Sequence, residues 1–217
     1  MKLMKFANGE DIKLENIYCI GQNYSEHNKE MGTKEFGDVV IFMKPTSAVI
    51  YNNEEVIIPY ISNNMHHEVE MLIAIGKDGY DITPEQAKDY IAGVGIGVDL
   101  TLRDVQNVAK ENKKPWGIAK GFYTSAPISD FVDIREHSSF HHDLTLEVNG
   151  EIRQKGNTAD MMRSVEELVS YISKVFSLQR GDLIFTGTPA GVSRLQSGDK
   201  VRAILGNGLA ELSFGVR

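Results

Sequence analysis

The chain of 217 residues carries one cysteine, Cys19, so it can form no internal disulfide. Cys19 lies in the apolar stretch "IYCIGQNY" and reads as a small buried hydrophobe rather than a nucleophile. No apolar run approaches the roughly 20 residues of a membrane-spanning helix, which argues against a membrane partner. The segment "MKLMKFANGEDIK" lacks the apolar stretch of a signal peptide and the Arg- and Ser-rich character of a mitochondrial presequence, so the expected location is the cytoplasm. A basic excess is missing too. Lys and Arg total 23 against 30 Asp and Glu, a formal net charge of −7. A general nucleic-acid binder needs a basic surface, so no nucleic-acid partner is expected. The one basic cluster, Lys110 to Lys114, is interrupted by Glu111 and Asn112 and reads as a solvated helix end. There is no internal repeat, no low-complexity linker and no Asp-rich loop of the EF-hand kind.

What is present is mostly β-like. "NIYCIGQ", "VVIFMKP", "EVEMLIAIG", "GVGIGVDLT", "DLTLEVNGE", "DLIFTG" and "DKVRAIL" are short apolar or alternating runs separated by turn signals. Asn149-Gly150 predicts a hairpin across "LTLEVNGEIRQKG". Helical patterns are fewer. "TPEQAKDYIA" opens with Thr83 as cap and Pro84 at the first helical position. "SVEELVSYISKVF" has Ser164 and Glu167 as a capping pair and apolar residues at Val165, Leu168, Val169, Ile172 and Phe176. "NYSEHNKEMG" is a short, mostly polar helix candidate that would bury little and stay mobile. Strands and helices do not alternate, so a doubly wound nucleotide fold is not expected. The fold class is α+β, mainly β, in a single domain over residues 1–217.

Acidic residues stand where apolar runs stop. Glu68 and Glu70 open "EVEMLIAIG"; at i and i+2 of a strand they share one face. Asp99 closes "GVGIGVD". Unpaired carboxylates that converge repel, unless a cation lies between them. Three such oxygens suit Mg²⁺ or Mn²⁺, with Ca²⁺ as a substitute, and leave about half of an octahedral shell open. The alternative, an exposed edge-strand pair and a turn aspartate, remains open on spacing alone.

Four stretches in order, "HHEVEMLIAIG", "GIGVDLTLRDVQ", "PWGIAKGF" and "LIFTGTPAGV", with "GQNYSEHNKEMG" upstream, resemble the fumarylacetoacetate hydrolase family. The likeness runs from about Ile17 to Leu205 and is strongest to the short acylpyruvate hydrolase and oxaloacetate decarboxylase branch. It implies a mixed β-sandwich or roll like that family's C-terminal domain, with few helices, and a homodimer. It implies that Glu68, Glu70 and Asp99 hold the metal, and that His27, oriented by Glu30, is the catalytic base. Lys120 would act on the substrate's oxo or enolate oxygen. Arg103, Gln106, Thr188 and the Gly187 backbone would bind substrate, with Lys44 either lining the pocket or serving as an edge-strand charge. Gln22 and Tyr123 depart from the broader family pattern.

His66, His67, His137, His141 and His142 are not expected as ligands; His67, beside Glu68, is expected to support one, and the others read as loop or surface histidines. Trp116 reads as a packing anchor. The implied activity is metal-dependent C–C hydrolysis of an acylpyruvate releasing pyruvate, with oxaloacetate decarboxylation as a further capacity. A keto–enol tautomerase acting on a small 2-oxo acid is the alternative within the family. A non-catalytic, metal-stabilised binding protein is the alternative outside it.

Overall fold

The structure is a computed structural model, and it describes residues 1–32, 39–135 and 139–217. His137 lies outside the described residues. Two sheets dominate. The first has six strands in the order Val132–Asp133, Ile91–Val98, Val69–Ile75, Leu183–Phe185, Ile17–Gly21 and Val40–Lys44. Leu183–Phe185 runs parallel to Ile17–Gly21, and every other pair is antiparallel. The second has five strands in the order Glu151–Asn157, Asp143–Val148, Lys200–Leu205, Ala210–Val216 and Glu55–Val56. The expected mainly β architecture with few helices is what the structure shows.

Side-chain alternation explains how the layers stack. In Val69–Ile75 every residue is buried. Val69, Met71, Ile73 and Ile75 join one large apolar cluster with Leu144, Leu146, Ala203 and Leu212 of the second sheet. Leu72 and Ala74 face a smaller cluster with Cys19, Phe131 and Phe185. Glu70 shares their parity, so its carboxylate lies on the face turned away from the second sheet. The neighbouring strand places glycine at 93, 95 and 97 on that face. A Cβ on Gly93 would lie 2.3 Å from the Val132 carbonyl, and one on Gly97 would lie 2.9 Å from Leu72. The glycines let the next layer close onto the strand.

The turns follow the sequence. Asn149 and Gly150 take φ of 54° and 82°, as a tight hairpin turn demands. Val165–Val175 is an α-helix with its capping pair intact: Glu167 N–H donates to Ser164 Oγ at 3.2 Å, and Ser164 N–H donates to Glu167 at 2.8 Å. Pro84–Tyr90 forms a 3₁₀ helix instead of the expected α-helix. Arg103–Glu111 and Gly117–Lys120 are helices that the periodicity did not flag. Ala210–Val216, beyond the expected core of about 17–205, is a full strand paired along Lys200–Leu205. No helix among the described residues is long and apolar enough to cross a membrane.

Candidate active site

The register of the first sheet brings the acidic residues together. Glu70 pairs opposite Gly97, and Val69 opposite Val98, so Asp99 leaves its strand beside Glu68. Asp99 N–H donates to the Glu68 carbonyl at 2.8 Å. Glu68 is not inside the strand as expected. The chain switches sheets there, because Met65–His67 pairs with Thr101–Leu102 and Ser193–Arg194. The three carboxylates still converge: one ligand oxygen from each lies within 4.8 Å of the others, and all three residues are buried.

Three buried cations surround them. Lys120 Nζ reaches Glu68 Oε2 at 2.7 Å and Asp99 Oδ2 at 2.6 Å. Arg103 Nη2 pairs with Glu68 Oε1, and its Nη1 donates to Gln106 Oε1 at 2.6 Å. Lys44 ends an edge strand yet is 3% exposed, with Nζ 2.8 Å from Asp99 Oδ1. Its charge is therefore buried against Asp99 rather than exposed at the sheet edge. Its protons go to Leu100 O, Ser125 Oγ and the Lys120 carbonyl. Asp99 Oδ1 thus feels a charge but accepts no hydrogen bond.

Electrostatics separates the two glutamates. Burial works to raise the Glu68 carboxyl, but Lys120 and Arg103 outweigh it and hold the group well below the usual range. Burial, then the charges of Asp99 and Glu68, push Glu70 well above that range, against one backbone donor, Gly187 N–H at 2.6 Å. Burial lowers Lys120, but Asp99 and Glu68 more than restore it. Crowded carboxylates, an orphaned Asp99 lone pair and an all-oxygen donor set fit a hard divalent cation.

Of the other expected site residues, His27, Arg103, Gln106, Lys120 and Thr188 line the same cavity as the triad, whereas Glu30, Lys44 and Gly187 stand behind its wall. His27 Nδ1 lies 3.3 Å from Glu30 Oε2. Both Glu30 oxygens also accept from Gly191 N–H at 3.2 Å, so the short Ser25–Glu30 helix is tied to the 187–191 loop. That helix buries more than expected, with Asn28 and the preceding Tyr24 enclosed. Gly187 N–H donates to Glu70, and its φ of 101° lets the loop close against Asn23, where a Cβ would sit 2.8 Å from Asn23 Cβ.

The structure adds to the reading of Lys110 and Trp116 and corrects that of His66. Lys110 is not only a solvated helix end: it lines the cavity and lies 5.3 Å from the Trp116 ring centroid. Trp116 both packs edge-on to Phe42, at 5.8 Å, and lines the cavity. His66 is half-buried in a strand, with Nε2 3.0 Å from Asn64 Oδ1; burial first, then Arg103, lowers it to about 4. Lys110 was detectable in principle, since Arg103, Gln106 and Lys110 stand at i, i+3 and i+7 of one helix. Gln154, buried and bonded to Thr188, had no local signal.

The fold and this acidic centre define a mainly β protein with a buried site suited to a divalent ion and an anionic ligand. The family model for the Fumarylacetoacetate (FAA) hydrolase C-terminal region matches residues 16–217, and the chain belongs to that family. It is 40% identical over 203 residues to the oxaloacetate tautomerase FAHD1, mitochondrial, of Mus musculus, covering 93% of this chain and 91% of that protein. It is 42% identical over 193 residues to the oxaloacetate tautomerase YcgM of Escherichia coli (strain K12), covering 88% of each. Among solved structures, the fumarylpyruvate hydrolase from Pseudomonas aeruginosa in complex with Mn²⁺ and pyruvate superposes with a TM-score of 0.95 at 36% identity, covering 99% of this chain and 95% of that one.

Proposed function

We propose that the protein is a divalent-metal-dependent enzyme that interconverts the keto and enol forms of oxaloacetate or a similarly small 2-oxo dicarboxylate. The observation that carries this reading is the buried acidic triad set against Arg103 and Lys120 on the wall of one cavity, a cation site beside anion-binding groups. The names of the mouse and Escherichia coli relatives support it. Charge supports it as well. Glu68, Glu70 and Asp99 face Lys44, Lys120 and Arg103, a formally neutral group. A divalent cation leaves that group two charges positive, which a dicarboxylate dianion offsets.

Glu68, Glu70 and Asp99 would hold Mg²⁺ or Mn²⁺, and the ion would supply Lewis-acid polarisation of the 2-oxo group. Arg103, on the cavity wall, offers a cation to a substrate carboxylate. His27, oriented by Glu30, removes the proton from C3 of the substrate. The C–H electron pair becomes the C2–C3 double bond, and the carbonyl π pair moves onto O2. Lys120 stabilises the charge developing on O2, and the proton held by His27 is returned there to give the enol. Lys110, at the Trp116 end of the cavity, is the cation for the distal carboxylate.

Acylpyruvate C–C hydrolysis, which the sequence placed first, is the second reading; the likeness to the Mn²⁺- and pyruvate-bound fumarylpyruvate hydrolase favours it. There His27 would activate water, and pyruvate would leave as its enolate. We further infer a homodimer, supported by exposed apolar side chains on adjoining elements, Met43, Val108 and Ile118. The test sets decay of the enol absorbance of oxaloacetate against pyruvate release from acetylpyruvate, both with metal-loaded protein. Fast enol decay with slow pyruvate release supports the tautomerase; the reverse result replaces it with the hydrolase.

A further inference from the structure

Gln154 lies outside the ring of residues described so far, on the Glu151–Asn157 strand of the second sheet, and is 1% exposed. Its carboxamide uses all four of its hydrogen-bonding positions. Oε1 accepts from Val69 N–H at 3.1 Å and meets His67 Nδ1 at 2.8 Å. Nε2 donates to Thr188 Oγ1 at 2.9 Å and to Pro189 O at 2.9 Å. The orientation of the amide is fixed by its partners. Val69 N–H can only donate and Pro189 C=O can only accept, so a flipped amide would oppose donor to donor and acceptor to acceptor. His67 must then donate from Nδ1, and its Nε2 accepts from Ser193 Oγ at 2.8 Å.

Two consequences reach the site. His67 and Val69 flank Glu68, so one acceptor oxygen holds the His67 imidazole on one side of that residue and the Val69 backbone N–H on the other, at the point where the chain switches sheets. On the other side, Thr188 Oγ1 receives its hydrogen bond from Gln154, and among the described residues its own proton has only Pro189 O, at 3.5 Å, as an acceptor. That proton is left for a ligand in the cavity that Thr188 lines. We infer that Gln154 is a positioning residue: it sets Glu68 and the Thr188 hydroxyl in one register, so that cation binding and anion binding are prepared by a single side chain of the second sheet. A purely structural glutamine would need only to fill its hydrogen bonds, and its loss would move stability alone.

The test is a double-mutant cycle of Gln154→Met, Thr188→Val and the pair. Mn²⁺ affinity and oxalate affinity of the Mn²⁺-loaded protein are measured separately by calorimetry, and folding is followed by thermal melting. Gln154→Met is expected to weaken oxalate about tenfold, Thr188→Val to weaken it similarly, and the pair no further than either alone. Gln154→Met should also weaken Mn²⁺ in the absence of oxalate, while Thr188→Val should not. Where Gln154→Met does not fold, Gln154→Glu keeps both acceptor contacts and removes the donors, so it should retain Mn²⁺ affinity and lose oxalate affinity. Multiplied losses in the pair, or a melting-temperature loss with both affinities unchanged, would overturn the inference.

Discussion

Lys44 Nζ lies 2.8 Å from Asp99 Oδ1, yet its hydrogen bonds go to Leu100, Ser125 and the Lys120 carbonyl. The ammonium offsets much of the cost of burying that oxygen, which still keeps a lone pair that no hydrogen bond uses. A divalent cation can take that lone pair.

Divalent metal should therefore stabilise the chelator-stripped protein. At a hundredfold excess over Kd the gain is about 2.7 kcal/mol, or roughly 5–10 °C in melting temperature for a chain of this size. Asp99→Asn should abolish the shift. Melting curves with and without Mn²⁺ check this; an equal shift in the variant would remove Asp99 from the ligand set.

His27→Ala should slow oxaloacetate tautomerisation by about 10²–10⁴-fold while leaving Mn²⁺ affinity unchanged, because His27 supplies a base and not a ligand. Decarboxylation of oxaloacetate requires no proton abstraction from C3, so it should slow less. Parallel assays of the two reactions decide the point, and equal losses would contradict the assigned role.

Lys110→Met should raise KM for oxaloacetate about tenfold, the effect of one charge-assisted contact, with a smaller effect on kcat. Although Lys110 is an exposed residue, partial desolvation on the cavity wall, followed by Arg103 and Lys120, pulls its ammonium below the ordinary lysine range. Its charge is therefore lost earlier as pH rises, and so is its hold on a carboxylate. KM of the unaltered protein should climb on the alkaline limb ahead of an ordinary lysine titration, and that climb should be missing in the variant. Matching profiles would sink the assignment.

The Glu30 contact with Gly191, at 3.2 Å, ties the Ser25–Glu30 helix over the cavity. Hydrogen exchange across residues 25–30 and at Gly191 should slow when oxalate is added with Mg²⁺. Unchanged exchange would mean that this helix does not respond to ligand.

The acidic triad was legible in part: apolar runs stop at carboxylates, but spacing alone left an exposed edge pair open, and Glu68 joins the group through a sheet switch rather than through strand parity. The hairpin at Asn149-Gly150 and the Val165–Val175 helix were legible from turn and cap chemistry. The Arg103–Glu111 helix was not: its polar face looks solvated in sequence, while Arg103 and Gln106 are buried by ion pairing and hydrogen bonding rather than by apolar packing. Gln154 was invisible for a deeper reason. Its importance comes from a contact 85 residues away with Val69 and another 34 residues away with Thr188. No local pattern encodes such contacts. The sheet switch at Glu68 likewise depends on pairing with two distant strands.

The most direct measurement is titration of chelator-stripped protein with Mg²⁺ while following decay of the enol form of oxaloacetate, in parallel with Glu70→Ala. The account predicts activity that rises from the uncatalysed rate and saturates at one ion per chain, with the variant silent throughout. Full activity before any metal is added, or a variant that titrates like the unaltered protein, would contradict it.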